Sequence, residues 1–173
     1  SFIAVPSSLQ LTSPTSTPIR AGRAFTVNAT AVNAVGAITP NFNSASTTGY
    51  SLASTLGVSR VSPTGAGAVT GALTGTAANF VNGLSSSTGL TYAEVGSITV
   101  NQALTSASYL GSGFAVTGTS TTLGRFIPDY FDLTATAGCG SFSYAGQPFA
   151  ASITALNAAG VRTRNYDGSA STT

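Results

Sequence analysis

The sequence predicts an all-β protein, an immunoglobulin-like antiparallel β-sandwich in tandem repeat. Three observations carry this prediction. Apolar and polar residues alternate with a period of two in short stretches, Gly and Asn turn signals separate those stretches, and one block of sequence recurs later in the chain. Gly, Ser, Thr and Pro interrupt every segment that an amphipathic helix would need, so no helix is predicted.

A repeat with an offset of 124 residues organises the chain. Residues 21–42 align with residues 145–166 without a gap. We therefore predict one complete unit at 1–124, followed at 125–173 by the opening strands of a second, incomplete unit. The positions of the first copy that are identical in the second are Ala21, Gly22, Phe25, Thr30, Ala31, Asn33, Ala34, Gly36, Thr39 and Asn41.

The first predicted strand lies at 2–11 and opens the unit. Continued backwards without a gap, the same offset pairs Phe2 with Phe126 and Leu9 with Leu133. The second unit is therefore expected to open with an equivalent strand.

The second predicted strand begins at Phe25. Its apolar residues, among them Val27 and Ala31, alternate with polar ones, so they face one side of a sheet. A hairpin-like loop follows at 33–36, in which the glycine supplies a positive φ. The second copy repeats both features at 149–160.

Later strands follow turn signals. Asn82 and Gly83 predict a tight hairpin, and further strands are expected at 90–92, 97–100 and 109–117. About seven strands of this kind suit a β-sandwich. A closed barrel or a β-solenoid is the alternative, but a repeat of 124 residues is too long for a solenoid rung. The expected core contains Phe25, Val27, Ile98, Val100 and Phe114.

The composition excludes most enzyme chemistry. Charged residues make up 6% of the chain, and neither His nor Lys occurs, so a Ser nucleophile has no His or Lys base. Asp129 and Asp132 point to opposite faces of an extended strand, which disfavours a glycosidase pair. We therefore predict no catalytic activity and no cofactor.

Nucleic-acid binding and membrane insertion are also not expected. The six Arg residues are scattered along the chain and form no cluster that would follow a phosphate backbone. No apolar run approaches the roughly 18 residues of a membrane-spanning helix. Because the chain begins with Ser and contains no Met, we expect a processed or excised segment.

Five ordered motifs carry a family resemblance. They are LTYAEVG at 90–96, YLGSG at 109–113, GRFIPDYFDL at 124–133, FSYAGQPF at 142–149 and TALNAAG at 154–160. In this order they resemble the repeat region of MshQ-like proteins, a family linked by name to biogenesis of the mannose-sensitive haemagglutinin pilus. They are also similar to generic bacterial immunoglobulin-like repeats. The resemblance covers 88–167 and implies an exported, surface-associated, non-catalytic protein.

A calcium site is the one metal site with candidate ligands. Glu94, Asp129 and Asp132 lie near the predicted boundary between the units, where tandem modules bind Ca²⁺ through several carboxylates. The first copy has no acids opposite the two aspartates, so it lacks the same site. The alternative without a metal is a purely structural role, in which Asp129 accepts hydrogen bonds from backbone donors around Pro128. Asp167 is the remaining carboxylate.

Cys139 predicts no disulfide framework, because it is the single cysteine. It pairs with a cysteine outside this segment or is buried as a small apolar side chain. Without Lys, the chain forms no Lys–Asn isopeptide cross-link.

The incomplete second unit is expected to expose an apolar sheet edge. Phe126, Phe131, Phe149 and Ile153 would face water there, although burying four such side chains is worth about 6–12 kcal/mol before entropy is subtracted. We expect either a longer tandem polymer, which is favoured, or a neighbouring chain that completes the fold by β-strand complementation.

The expected function is a non-enzymatic extracellular structural repeat of a bacterial surface stalk, adhesin or pilus-associated filament. Its expected partners are copies of itself, adjacent repeats, or a surface glycan or protein. The alternatives are a self-assembling filament subunit and a carbohydrate-binding module. The last requires a platform of exposed aromatic rings, for which Tyr50, Tyr109 and Tyr166 are candidates.

Overall fold

A computed structural model describes residues 2–43, 53–105 and 109–166 of the chain. These residues form β-strands, one short 3-10 helix at Tyr109–Gly111 and no α-helix, which confirms the all-β prediction. The strands are β1 (Ser8–Thr12), β2 (Ile19–Arg20), β3 (Ala24–Val32), β4 (Ser54–Ser62), β5 (Leu73–Thr74), β6 (Leu84–Tyr92), β7 (Gly96–Leu104), β8 (Thr117–Thr119), β9 (Leu123–Ile127), β10 (Tyr130–Thr136) and β11 (Ala150–Leu156).

Two sheets form the larger part of the structure, here called the two-sheet body (the described residues up to 127). The first sheet has the order β1-β3-β6-β5 and the second has the order β2-β9-β7-β4, with β8 also paired to β7. All neighbouring strands are antiparallel except β2 and β9, which are parallel. Buried side chains from both sheets form one apolar core.

The period-two pattern of β3 is confirmed by burial. Phe25, Val27, Ala29 and Ala31 are each 2% exposed or less, and the polar residues between them lie on the other face. Ile98 and Val100, which were predicted for the core, are fully buried on β7.

The strand predicted at 109–117 is wrong. Leu110, Gly111 and Gly113 have φ values of 50°, 74° and 79°, and three positive values within four residues turn the chain instead of extending it. The chain turns there, so Phe114 is 65% exposed instead of buried, and Val116 enters the core at 1% exposure.

The opening strand begins later than predicted. β1 starts at Ser8, just after Pro6, which has no backbone N–H to donate to a sheet. Phe2 is 92% exposed and contributes nothing to the core.

Strand β9 crosses the boundary predicted between residues 124 and 125. Phe126 is 1% exposed, and its ring centroid lies 5.4 Å from that of Phe25 and 5.1 Å from that of Tyr92. The expectation that Phe126 faces water is therefore wrong, because β9 pairs with β2 and β7 inside the second sheet.

Strands β10 and β11 form a separate two-stranded sheet, here called the β10–β11 hairpin. Leu9 pairs with Ala31 in the body, and Phe131 pairs with Ala155 in the hairpin. Because the two alanines are 124 residues apart, Phe131 and not Leu133 takes the place of Leu9. The gapless alignment is thus wrong ahead of β3, since the second copy has two more residues between the paired positions.

The loops after β3 and β11 make the same hydrogen bonds. Asn33 Oδ1 accepts from the backbone N–H groups of Val35 and Ala37, at 3.1 and 2.9 Å. Asn157 Oδ1 accepts from the residues two and four positions ahead, at 3.0 Å each. The glycine three positions after each asparagine has a positive φ, 84° and 74° respectively. Identical residues thus produce identical turns.

The tight turn predicted at Asn82 and Gly83 is confirmed. Val81 and Leu84 exchange both backbone hydrogen bonds, at 2.8 and 3.0 Å. The two central residues have φ values of 51° and 79°, as a two-residue hairpin turn with positive φ at both positions requires.

Candidate functional site

The β10–β11 hairpin meets the two-sheet body through polar contacts. We call this group of residues the polar clasp: Arg20, Arg23, Glu94, Asp129, Asn157 and Asn165. The first three belong to the body, and the last three belong to the segment that carries the hairpin.

Two arginines hold Asp129 from one side. Arg23 donates from Nε and Nη2 to the two carboxylate oxygens of Asp129, at 2.9 and 2.8 Å. Arg20 donates from Nη1 to the backbone carbonyl of Asp129 at 3.1 Å. The turn that presents both arginines contains Gly22, whose φ is 80°. A bidentate contact of this kind fixes direction as well as distance.

The ion pair shifts the titration of both partners. The hydrogen bonds from Arg23 lower the pKa of the Asp129 carboxyl, although burial opposes them, and the charges of Arg23 and Arg20 lower it further. The same contact raises the pKa of Arg23. Both arginine side chains are 62% exposed, whereas that of Asp129 is 5% exposed, so solvent screens the pair from one side.

Glu94 forms the buried half of the clasp. It lies between β6 and β7 and is 5% exposed. Its Oε2 accepts from the backbone N–H of Arg164 at 2.8 Å, and its Oε1 accepts from those of Val95 and Asn165, at 2.9 and 3.2 Å. Three backbone donors thus replace the water that a buried carboxylate loses.

Asn165 completes this half with its amide group. Its Oδ1 accepts from the N–H of Val69 at 2.8 Å, and its Nδ2 donates to the carbonyl of Val69 at 2.8 Å and to that of Val95 at 3.2 Å. The side chain therefore binds the body much as a β-strand backbone would. It is buried, with 7% exposure.

The turn after β11 rests directly on the body. Asn157 Nδ2 donates to the carbonyl of Ala93, and the N–H of Ala158 donates to the carbonyl of Ala21, both at 2.9 Å. A Cβ atom placed on Gly22 would lie 3.0 Å from the backbone nitrogen of Ala158. An alanine at position 22 would therefore force the turn of Ala158 to shift by a few tenths of an ångström.

Comparison with known protein families gives a match to part of the chain. Residues 94–173 match the family model described as DUF6701, third domain. This stretch, here called the DUF6701 segment, is less than half of the chain, and the matched family is uncharacterised. It begins at Glu94 and contains Asp129, Asn157 and Asn165, whereas Arg20 and Arg23 precede it. No curated protein and no solved structure matches the chain.

The DUF6701 segment contains all three predicted calcium ligands, but they do not form a common site. Asp129 binds Arg23, Glu94 binds backbone N–H groups, and Asp132 is exposed on β10. Within the described ranges no group of three His, Cys, Asp or Glu side chains converges. Asp167 lies outside the described residues. Asp129 is thus held mainly by arginine side chains and not by the backbone donors around Pro128.

The predicted apolar edge is partly as expected. Phe131, Phe149 and Ile153 are 53%, 62% and 69% exposed, while Phe126 is buried as described above. Leu133, at 64% exposure, is a further exposed residue that the prediction omitted. These side chains make the hairpin an open apolar surface.

Cys139 and the candidate tyrosines occupy varied positions. Cys139 is half-buried, is not in a disulfide and lies 3.2 Å from Gln147 Nε2. Tyr109 is buried at 8% exposure and Tyr166 is 54% exposed. Tyr50 lies outside the described residues.

None of the described helices is long and apolar enough to cross a membrane.

Sequence reasoning missed most of the clasp. It selected Glu94 and Asp129 as metal candidates and did not connect them with Arg23 or Asn165. One signal was present, because Asn41 and Asn165 are identical after the alternating strand has ended. An identical polar residue outside the alternation points to a contact that strand packing does not explain.

Proposed function

We propose that this chain is a non-enzymatic structural repeat of an extracellular bacterial surface stalk, adhesin or pilus-associated filament. In this role, β-sandwich units of immunoglobulin-like type follow one another, and the polar clasp holds successive units in a fixed orientation. The observation that carries the proposal is the clasp itself, in which Asp129 and Glu94 join the two-sheet body to the segment that follows it.

The shared local structure of the two copies supports a tandem repeat. Thr39 donates from N and Oγ1 to the carbonyl of Ala31, and Thr163 does the same to Ala155. Together with the matching asparagine turns, these bonds indicate that the β10–β11 hairpin begins a second unit of the same design.

The clasp carboxylates also support a structural role. An acid–base catalyst needs a carboxyl group that is free to exchange a proton with a substrate. Both oxygens of Asp129 bind Arg23, and both oxygens of Glu94 bind backbone N–H groups. These groups are used in holding the structure together.

Backbone ¹⁵N relaxation tests the proposal. We expect the amides of β3 and β11 in the full chain to report the same rotational correlation time, because the clasp joins them rigidly. In the Glu94→Gln, Asp129→Asn double variant, β11 should tumble faster than β3. The exposed Asp132→Asn serves as the matched control and should behave as the wild type. Independent motion of β11 in the wild type, or an unchanged double variant, would overturn the proposal.

A strand-complemented filament subunit is the second candidate. Leu9 and Leu11 in β1 are 3% and 4% exposed, whereas Phe131 and Leu133, at the matching positions of β10, are exposed. In the body the second sheet covers this face, so a neighbouring chain that supplied such strands would cover it in the hairpin. Sedimentation velocity distinguishes the two: the filament subunit assembles with rising concentration, and Ile153→Asp abolishes the assembly.

A carbohydrate-binding module is less well supported. A sugar ring stacks on flat or coplanar aromatic rings, but Phe131 and Tyr166 are inclined at 60°, and Phe142 and Tyr144 at 90°. These exposed pairs within the described residues offer no flat platform.

A further inference from the structure

We propose that the two-sheet body carries a second docking surface, which binds another body of the same fold as the hairpin binds this one. The surface consists of Asn33, Ala34 and Asn41, here called the open loop face. It docks onto another body of this fold, at the surface that Ala21, Val69 and residues 93–95 form there. The inference rests on the proposed function and gives its units a second contact of the same kind.

The hairpin segment shows how such a face docks. Asn157 and Ala158 donate to the carbonyls of Ala93 and Ala21, and Asn165 bonds both backbone groups of Val69. All these contacts come from the turn after β11 and from the residues just beyond it.

The open loop face repeats those residues at an offset of 124. Asn33, Ala34 and Asn41 match Asn157, Ala158 and Asn165 in identity, and the Asn33 turn has the same internal hydrogen bonds. Their exposure differs: Asn157 and Asn165 are 4% and 7% exposed, whereas Asn33 and Asn41 are exposed. Two copies of one surface are thus present, one docked and one open.

Phe2 points to the same partner. Its Phe-Ile pair matches Phe126 and Ile127 in sequence, although the strands that follow the two pairs differ in register by two residues. Phe126 is 1% exposed between Phe25 and Tyr92, yet Phe2 itself is 92% exposed. In a head-to-tail contact Phe2 takes the place that Phe126 has in this body. An exposed Phe in a chain that also carries an open copy of the docking turn fits a second body of this fold.

The contact at the open loop face is weaker than the polar clasp. Pro40 stands at the position of Arg164 and has no N–H for the glutamate of the partner. The N–H of Ser7 donates to the carbonyl of Val32 as the N–H of Asp129 donates to that of Leu156. Ser7 therefore stands at the position of Asp129, and it has no carboxylate that could bind Arg23 of the partner. Docking therefore depends on a covalent tether, which raises the effective concentration of the partner.

The test uses an extended chain, in which a copy of residues 1–124 precedes the full 173-residue chain. The full-chain part is segmentally labelled with ¹⁵N, and hydrogen exchange is measured at the Ala34 amide. We expect exchange to slow by at least about tenfold relative to the 173-residue chain, because this amide now donates to the Ala21 carbonyl of the preceding copy.

Two substitutions in the labelled part sharpen the result. Asn33→Asp keeps the Oδ1 acceptor of the turn and removes the Nδ2 donor, so the protection of Ala34 should be lost. Asn79→Asp changes an exposed asparagine on another surface, so it is the matched control and should leave the protection of Ala34 unchanged. Equal exchange in the extended and 173-residue chains, or protection that survives Asn33→Asp, would overturn the inference.

A second extended chain is the control for the case in which the preceding copy of residues 1–124 fails to fold. It carries residues 1–127, with their own Phe126, joined by a flexible Gly/Ser linker to the full chain. The same protection at Ala34 is expected, and its absence refutes docking. If β3 and β11 still tumble together in the 173-residue chain, the proposed function stands while this inference fails.

Discussion

Asp129 makes the stability of the clasp depend on pH. Its pKa in the folded chain is lowered, so its contribution is fully present above the unfolded value of about 3.9 and is lost as the pH falls through the folded value. We expect the contact of β11 with the body to weaken below about pH 4.

The measurement is the pH dependence of the β11 correlation time between neutral pH and pH 2. Asp129→Asn should flatten the part of the curve that lies below the unfolded pKa of an aspartate. Superimposable curves for the wild type and the variant would show that another group controls the transition.

Gly22 is the second residue with a clear expectation. In Gly22→Ala the new methyl group meets the backbone of Ala158 at 3.0 Å, and φ stays at 80°. Gly89 also has a positive φ, 70°, but nothing lies within 4 Å of its Cβ position. Gly89→Ala therefore reports the cost of backbone strain alone, roughly 1 kcal/mol.

Urea denaturation measures the difference. Gly22→Ala should lower the free energy of unfolding further than Gly89→Ala, by roughly 1 kcal/mol more, because the turn of Ala158 must shift. Equal losses would mean that the hairpin does not press on position 22 in solution.

At the scale of strands, β9 and β10 differ sharply although two residues separate them. Phe126 on β9 is buried between two aromatic rings, and Phe131 on β10 is 53% exposed. Phe126→Ala should cost about 3–5 kcal/mol of unfolding free energy, whereas Phe131→Ala should cost about 0.5 kcal/mol or less. Thermal and urea denaturation of both variants give the comparison. Similar losses would place the two rings in similar surroundings.

The strands that the sequence predicts best are those with regular alternation. Phe25 to Ala31 show it, and the structure buries every second residue of that stretch. The prediction failed at 109–117, because Leu110 has a positive φ that its residue type does not reveal. It also failed ahead of β3, because a two-residue difference between the copies shifts the register of β10 without altering its apolar pattern.

At the scale of the whole molecule, the hairpin depends on the body for its order. A two-stranded hairpin alone is marginally stable in water. Asn157→Asp keeps the turn acceptor but removes the donor to the buried end of the clasp, so hydrogen exchange in β10 and β11 should accelerate roughly tenfold. Asn33→Asp in the same 173-residue chain changes the matching exposed turn and should have no such effect. Unchanged exchange in Asn157→Asp would show that the other clasp contacts suffice.

The candidate site was less predictable than the fold. Alternation and turn signals act between neighbours in sequence, whereas Arg23 and Asp129 are 106 positions apart and Glu94 and Arg164 are 70 apart. The sequence does not distinguish a carboxylate that binds a metal ion from one that binds a guanidinium group. The repeat offset was the one long-range signal. It makes Asn157 and Asn165 identical to Asn33 and Asn41, but it assigns them no role and no partner.

Strand β9 also sets the order in which the chain matures during synthesis. The core of the two-sheet body needs Phe126, and only Pro128 and Asp129 separate β9 from β10. β9 therefore leaves the ribosome just before β10, the first strand of the following segment. β11, whose sequence resembles that of β3, begins only at Ala150, so every strand of the two-sheet body has emerged before this similar strand is available to mispair with them.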